Sequence, residues 1–192
     1  MGNAHPIEMQ ITDDLVRSRL TTFFRLFLAL PHLIWSAIWG IGAVVAVIIS
    51  WFATLAKGQT PQGLHDFLAL YLRYTVHTRA YVYLVAEPFP SFSADKVYPI
   101  DVTVAPPVPQ RRWVTAFRLI LVIPVAIVAG ILDYLGQVLA VISWFVALFT
   151  GRVPRGVRNL GAWCLKFSAQ TYGYAFLLTE NYPSFDSVTP TE

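Results

Sequence analysis

Two short alternations stand out along the chain. Ile7, Met9 and Ile11 have polar residues between them, as do Ile100, Val102 and Val104, and both stretches predict strands with one face to be covered. Each is followed by a long apolar run. From Leu26 to Ala56, 31 residues pass without Asp, Glu, Lys or Arg, and from Leu119 to Leu132 another 14 do. A bilayer-spanning helix needs about 20 apolar residues. A third pattern closes each half, an amphipathic helix over about 61–86 and again over 154–179. Its polar stripe is thin: Asp66, Arg73 and His77 fall at i, i+7 and i+11, and the last two lie within about 20° of the first on a helix of 100° per residue.

The three patterns recur because the chain repeats itself. An offset of 93 aligns residues 5–92 with 98–185 without a gap and with 29 identities in 88 positions. Phe24-Arg25-Leu26 matches Phe117-Arg118-Leu119, and Pro31 matches Pro124. Ser50-Trp51-Phe52 matches Ser143-Trp144-Phe145, and Pro90-Ser91-Phe92 matches Pro183-Ser184-Phe185. The predicted organisation is a tandem pair, 1–93 and 94–192, forming one membrane domain. In the second copy Asn159, Lys166 and Gln170 take the stripe positions, so polarity is kept while identity is not. The fold class this implies is an all-α integral membrane protein of two pseudo-symmetric repeats. Each repeat holds a strand-like segment, a membrane helical hairpin or one kinked span, and an amphipathic helix. The two strand-like segments pair if they lie on one side of the membrane.

Residues 22–56 as one helix would extend roughly 50 Å, against a hydrocarbon core of about 30 Å. Gly40-Ile41-Gly42 and the matching region Asp133 to Gln137 supply breakers, which favour a turn between two arms. The alternatives are a surface helix up to Leu30 followed by a single span, or three crossings per repeat. Gly58 and Gly151 read as helix stops, and Pro61 and Pro154 as helix starts. Thr60 is the candidate cap of the first copy, and Trp51 and Trp144 are candidate interfacial anchors.

Composition sharpens the class. The chain is 56% apolar and only 13% charged, with a net charge of +3, where soluble domains carry about 25% charged residues. The opening MGNAHPIEMQITDD is polar and acidic, unlike a secretory signal. The basic residues beside the apolar runs place both termini in the cytoplasm and the protein in the plasma membrane. Arg25, Arg118, Arg152, Arg155 and Arg158 are the candidate contacts to anionic lipid headgroups. Asp133 is a candidate intramembrane carboxylate. The single cysteine, Cys164, sits in an apolar stretch and reads as buried.

Catalytic and metal-binding motifs are absent from the sequence: no His-Glu-x-x-His, no P-loop, no Gly-x-Ser-x-Gly, no Cys-x-x-Cys. His65, Asp66 and His77 do not persist in the second copy, which argues against a metal site. No cofactor, no nucleic acid and no enzymatic activity are expected.

The combination of Phe24-Arg25-Leu26, Pro31, Ser50-Trp51-Phe52, Gly58-x-x-Pro61-x-Gly63 and Pro90-Ser91-Phe92 resembles a bacterial, largely actinobacterial, membrane family, the domain-of-unknown-function family numbered 4389. Thr150-Gly151-Arg152-Val153-Pro154-Arg155-Gly156 in the second copy is the closer match, whereas the first copy has Gln59 and Gln62 in place of basic residues. The resemblance implies a membrane protein and supplies no activity. The expected function is a non-enzymatic, lipid-associated scaffold or accessory subunit of a membrane complex, with lipids, other subunits or itself as partners. A small transporter or channel is the alternative.

Overall fold

The computed structural model describes residues 5–188. The elements run β1 (Ile7–Ile11), α1 (Arg19–Lys57), α2 (Gln62–Val82), β2 (Ile100–Val104), α3 (Arg112–Ala116), α4 (Arg118–Thr150) and α5 (Arg155–Ala175). The Ser18 side chain caps α1 by accepting from the Thr21 N–H. Gly58 and Gly151 end α1 and α4 at φ 77° and 71°, each N–H returning to a carbonyl four residues back. That left-handed geometry is the one a side chain resists, which explains why both copies hold glycine there. The helices α2 and α5 start directly after Pro61 and Pro154. Thr60 does not cap α2; its hydroxyl donates to the Leu177 carbonyl of the other repeat.

The expected hairpin inside each apolar run is absent. The helix α1 continues for 39 residues through Pro31, Gly40 and Gly42, and α4 for 33 through Pro124, Asp133 and Gly136. A lone glycine costs only about 1 kcal/mol in a helix, which tertiary packing outweighs. The glycines serve close approach instead. A Cβ on Gly40 would sit 2.9 Å from the Tyr71 hydroxyl, and one on Gly136 would sit 3.2 Å from the Tyr83 ring. A short hitch at Phe117 separates α3 from α4, where the first repeat has continuous α1.

The two copies exchange equivalent contacts, which defines a pseudo-twofold axis. The strands pair antiparallel with Ile7 opposite Val104, Met9 opposite Val102 and Ile11 opposite Ile100. Met9 and Val102 are equivalent positions, so the axis passes between them. Backbone bonds from Thr12 to Pro99 and from Ala105 to Pro6 frame the ribbon. The Arg17 N–H donates to Gly151, and the Gln110 N–H to Gly58. Trp51 donates its indole N–H to Thr115 O at 2.8 Å, and Trp144 donates to Thr22 O at 2.9 Å. These bonds set the start of α1 against the end of α4, and the end of α1 against α3. The long helices are therefore antiparallel.

The molecule is layered. The inward ribbon residues Ile7, Met9, Ile11, Ile100 and Val102 join Leu68, Leu72 and Val76 of α2 and Leu165 and Ala169 of α5 in one core. Ala43 and Ala46 of α1 close that core from the opposite side. The remaining faces of α1 and α4 point outward.

Candidate functional site

The helices α2 and α5 both end abruptly, and their ends organise the polar interior. Leu84 and Leu177, equivalent residues, take positive φ of 56° and 60°. Non-glycine residues pay about 1–2 kcal/mol for that conformation, and the carbonyls it turns inward need donors. Arg25 supplies them in the first copy, donating to Tyr81 O at 2.7 Å and Ala86 O at 2.9 Å and pairing with Glu87. Arg118 does the same in the second, donating to Tyr174 O at 2.6 Å and Thr179 O at 2.8 Å. Each guanidinium also stacks on the tyrosine whose carbonyl it binds. Arg17 donates to the Leu84 and Val85 carbonyls, and its counterpart Gln110 donates to Leu177 O at 2.7 Å.

This arrangement corrects the headgroup assignment for three of the five arginines. Arg25 and Arg118 are 1% and 2% exposed. Arg158 is buried as well, its guanidinium donating to Asp13 O and lying near the Asp13 carboxylate. A guanidinium buried among carbonyls is out of reach of a phosphate at the surface. Arg152 and Arg155 are exposed.

The polar stripe divides between the copies. Arg73 grips Asp101 of β2 through both carboxylate oxygens, and His77 meets the same carboxylate at 2.9 Å while stacking on Tyr98. Burial alone would raise the Asp101 carboxyl, but the bonds from Arg73 and His77 outweigh it and hold it well below the usual carboxylate range. In the second copy, Gln170 donates to Ile7 O of β1, and Lys166 donates to the carbonyls of Asp186 and Ser187. Arg73, His77 and Gln170 thus fasten the ribbon to the helices. Asp66 is exposed and accepts from Gln62, and Asn159 is half-buried with an oxygen that has no partner among the described residues.

Asp133 lies mid-helix on α4 rather than at a turn. It pairs with Arg79 of α2 at 3.1 Å and accepts from the Ser168 hydroxyl at 2.8 Å. Arg79 also donates to Tyr172, its own counterpart in the second repeat. The carboxylate is therefore satisfied at the junction of both repeats. Cys164 is buried, and burial pushes its thiol up to about 11. Among the described residues no cluster of His, Cys, Asp and Glu suits a metal ion.

The dominant surface feature is apolar. Seventeen large apolar residues of α1, from Leu20 to Phe52, and twelve of α4, from Leu119 to Phe149, are exposed. The most apolar windows of the two helices are only 17% and 11% buried. Monomeric soluble proteins rarely expose apolar patches beyond a few hundred Å². A cavity of about 1000 Å³ opens beside this face, lined by Trp35, Trp39, Phe89, Phe92 and Lys96.

The family described as Domain of unknown function (DUF4389) matches residues 19–94 and 112–186. The chain belongs to that family, in two copies. The first DUF4389 segment begins with α1 and the second with α3, and each runs past the clamped end of the amphipathic helix, so the family pattern covers the arginine clamp but not the ribbon strands. No curated protein and no solved structure matches the chain.

Some of these residues had a signal in the sequence. Arg25, Arg118, Glu87 and Glu180 recur at the 93-residue offset. Asp101, Arg79, Arg17 and Gln110 change identity between copies, which is why the repeat comparison passed over them.

Proposed function

We infer that the protein is a non-enzymatic, lipid-embedded scaffold or accessory subunit of a membrane complex. Its working surface is the outer face of α1 and α4. The observation that carries this reading is the near-complete exposure of the two most apolar helices. A core helix of a soluble protein hides such a surface, whereas here the interior is already filled from the other side. Burying a large apolar side chain stabilises by about 1.5–3 kcal/mol, so an apolar environment covering both helices gives a strong attachment. Arg25, Arg118, Asp101 and Asp133 are engaged in bonds that hold the elements together, which supports a role without chemistry. The plasma membrane, with cytoplasmic termini, is the location that the basic residues favour.

Alkaline carbonate extraction of membranes from expressing cells tests the reading. The protein stays with the membranes and needs detergent for release. Recovery as a monodisperse species in the carbonate supernatant would overturn it. Purification in mild detergent then identifies the co-purifying subunits expected of a scaffold.

A further inference from the structure

The pseudo-twofold axis constrains how the molecule sits in lipid. Suppose that both long helices cross a bilayer. They are antiparallel, so the axis that turns α1 into α4 then lies in the membrane plane, at mid-depth. The ribbon is centred on that axis, because Met9 pairs with Val102. Mid-depth would then hold a two-stranded ribbon whose Glu8, Gln10 and Thr103 side chains are exposed. Hydrocarbon does not accept an exposed carboxylate such as that of Glu8, with two further polar side chains beside it.

The other orientation sets the axis along the membrane normal. Symmetry then places the starts of α1 and α3 at one depth, and the ends of α1 and α4 at one depth. The bond between Arg17 and Gly151 joins the start of α1 to the end of α4, so all these ends share one level. Each long helix enters and leaves at the same depth. Their lengths agree: at about 1.5 Å per residue, helices of 39 and 33 residues extend about 58 and 50 Å, well beyond a hydrocarbon core of about 30 Å.

Charge marks the level of the ends. At one corner, where α1 starts and α4 ends, Arg19, Arg152 and Arg155 are exposed. At the other, where α1 ends and α3 starts, Lys57, Arg111 and Arg112 are exposed. These sets are not equivalent positions: Gln59 and Gln62 stand where Arg152 and Arg155 do, and Lys57 and Arg111 make up the number. Each corner thus carries three exposed cations at the rim of an apolar face, Arg111 being shared with Glu180 at 3.4 Å, and such a rim attracts anionic headgroups.

From the axis, the helix lengths and the corner charges together, we propose that the protein is monotopic. The helices α1 and α4 lie within the cytoplasmic leaflet, both corners sit among its anionic headgroups, and the ribbon faces the cytoplasm. The proposal rests on the lipid-embedded reading above and assigns it a single leaflet.

The test uses the full chain with one added cysteine at a time: Val16→Cys at the first corner, Val108→Cys at the second and Gln10→Cys on the ribbon. The three residues are exposed, and native Cys164 is buried. A membrane-impermeant maleimide is applied to intact cells and to inverted vesicles. All three variants react in inverted vesicles and none in intact cells, with at least a tenfold difference. Val16→Cys and Val108→Cys reacting from opposite faces would establish crossing helices and overturn the proposal while leaving the lipid-embedded reading intact. An unreactive Gln10→Cys, or reaction of all three from outside, would overturn it too. Failure in carbonate extraction would instead remove the underlying reading.

Discussion

Arg118 holds the Tyr174 and Thr179 carbonyls where α5 has ended, and Arg25 holds those of Tyr81 and Ala86 beyond α2. Orphaning a buried carbonyl costs about 1–3 kcal/mol, so we expect Arg118→Ala to lower stability by several times that of a surface change. Arg118→Lys should recover little, because an ammonium reproduces neither the fork nor the stacking on Tyr174. The thermal midpoint in detergent measures both. Binding to anionic vesicles by whatever fraction remains folded should be unchanged, which separates a clamp from a headgroup contact. Asp101 gives a pH dependence with a definite sign. Its folded carboxyl is held down, so its contribution is complete above the unfolded value of about 3.9 and is lost as the pH falls below that value toward the folded one. Thermal unfolding between pH 3 and 6 should show this acid-side loss, and Asp101→Asn should be less stable at pH 6 with a flatter profile. The identities of both arginines were legible in the sequence as a repeated pair at the edge of an apolar run. Their partners were not, since a cation at that edge has the same pattern whether it meets a phosphate or a carbonyl.

At the scale of elements, period and punctuation were read well and continuity was not. The alternating strands, the glycine stops and the starts of the amphipathic helices stand where the pattern places them, while both amphipathic helices end four residues short of it, at Val82 and Ala175. The internal break failed because Gly40 and Gly136 record contact with Tyr71 and Tyr83, and a composition-based reading does not distinguish a glycine that turns the chain from one that lets a ring approach. Asp133 misled in the same way, its charge being answered by Arg79 and Ser168 from elements distant in sequence. Gly58 offers a test of the stop itself. Nothing lies within 4 Å of the Cβ it lacks, so substitution is resisted by backbone conformation alone. Gly58→Ala should cost about 1 kcal/mol, and Gly58→Asn less, since asparagine visits the left-handed region more readily. Denaturant or thermal midpoints in detergent distinguish the two.

The whole molecule is a pseudo-dimer on one chain, and the pairing of its halves was visible only as the possibility that two strands meet. The tryptophans assigned to the membrane interface instead clasp one repeat to the other, which no property of a single repeat reveals. One consequence is an equality between unlike residues. If the corners act as equivalent rims, reversing charge with Arg152→Glu and Arg155→Glu should weaken binding to anionic vesicles about as much as Lys57→Glu and Arg111→Glu. A vesicle flotation series at increasing salt measures this; a large asymmetry would show that one corner dominates.

The exchanged contacts also bear on how the chain is made. The strand β1 has no partner strand until Ile100–Val104 is synthesised, and the Trp51 indole has no acceptor until Thr115 follows. At about 5–20 residues per second, the 93-residue offset leaves a finished α1 waiting roughly 5–20 s for its other half. During that interval the contacts from the second repeat are missing and the ribbon cannot form. The nascent first repeat is therefore the aggregation-prone species, and prompt delivery to lipid covers the apolar face of α1, which the finished fold also leaves exposed.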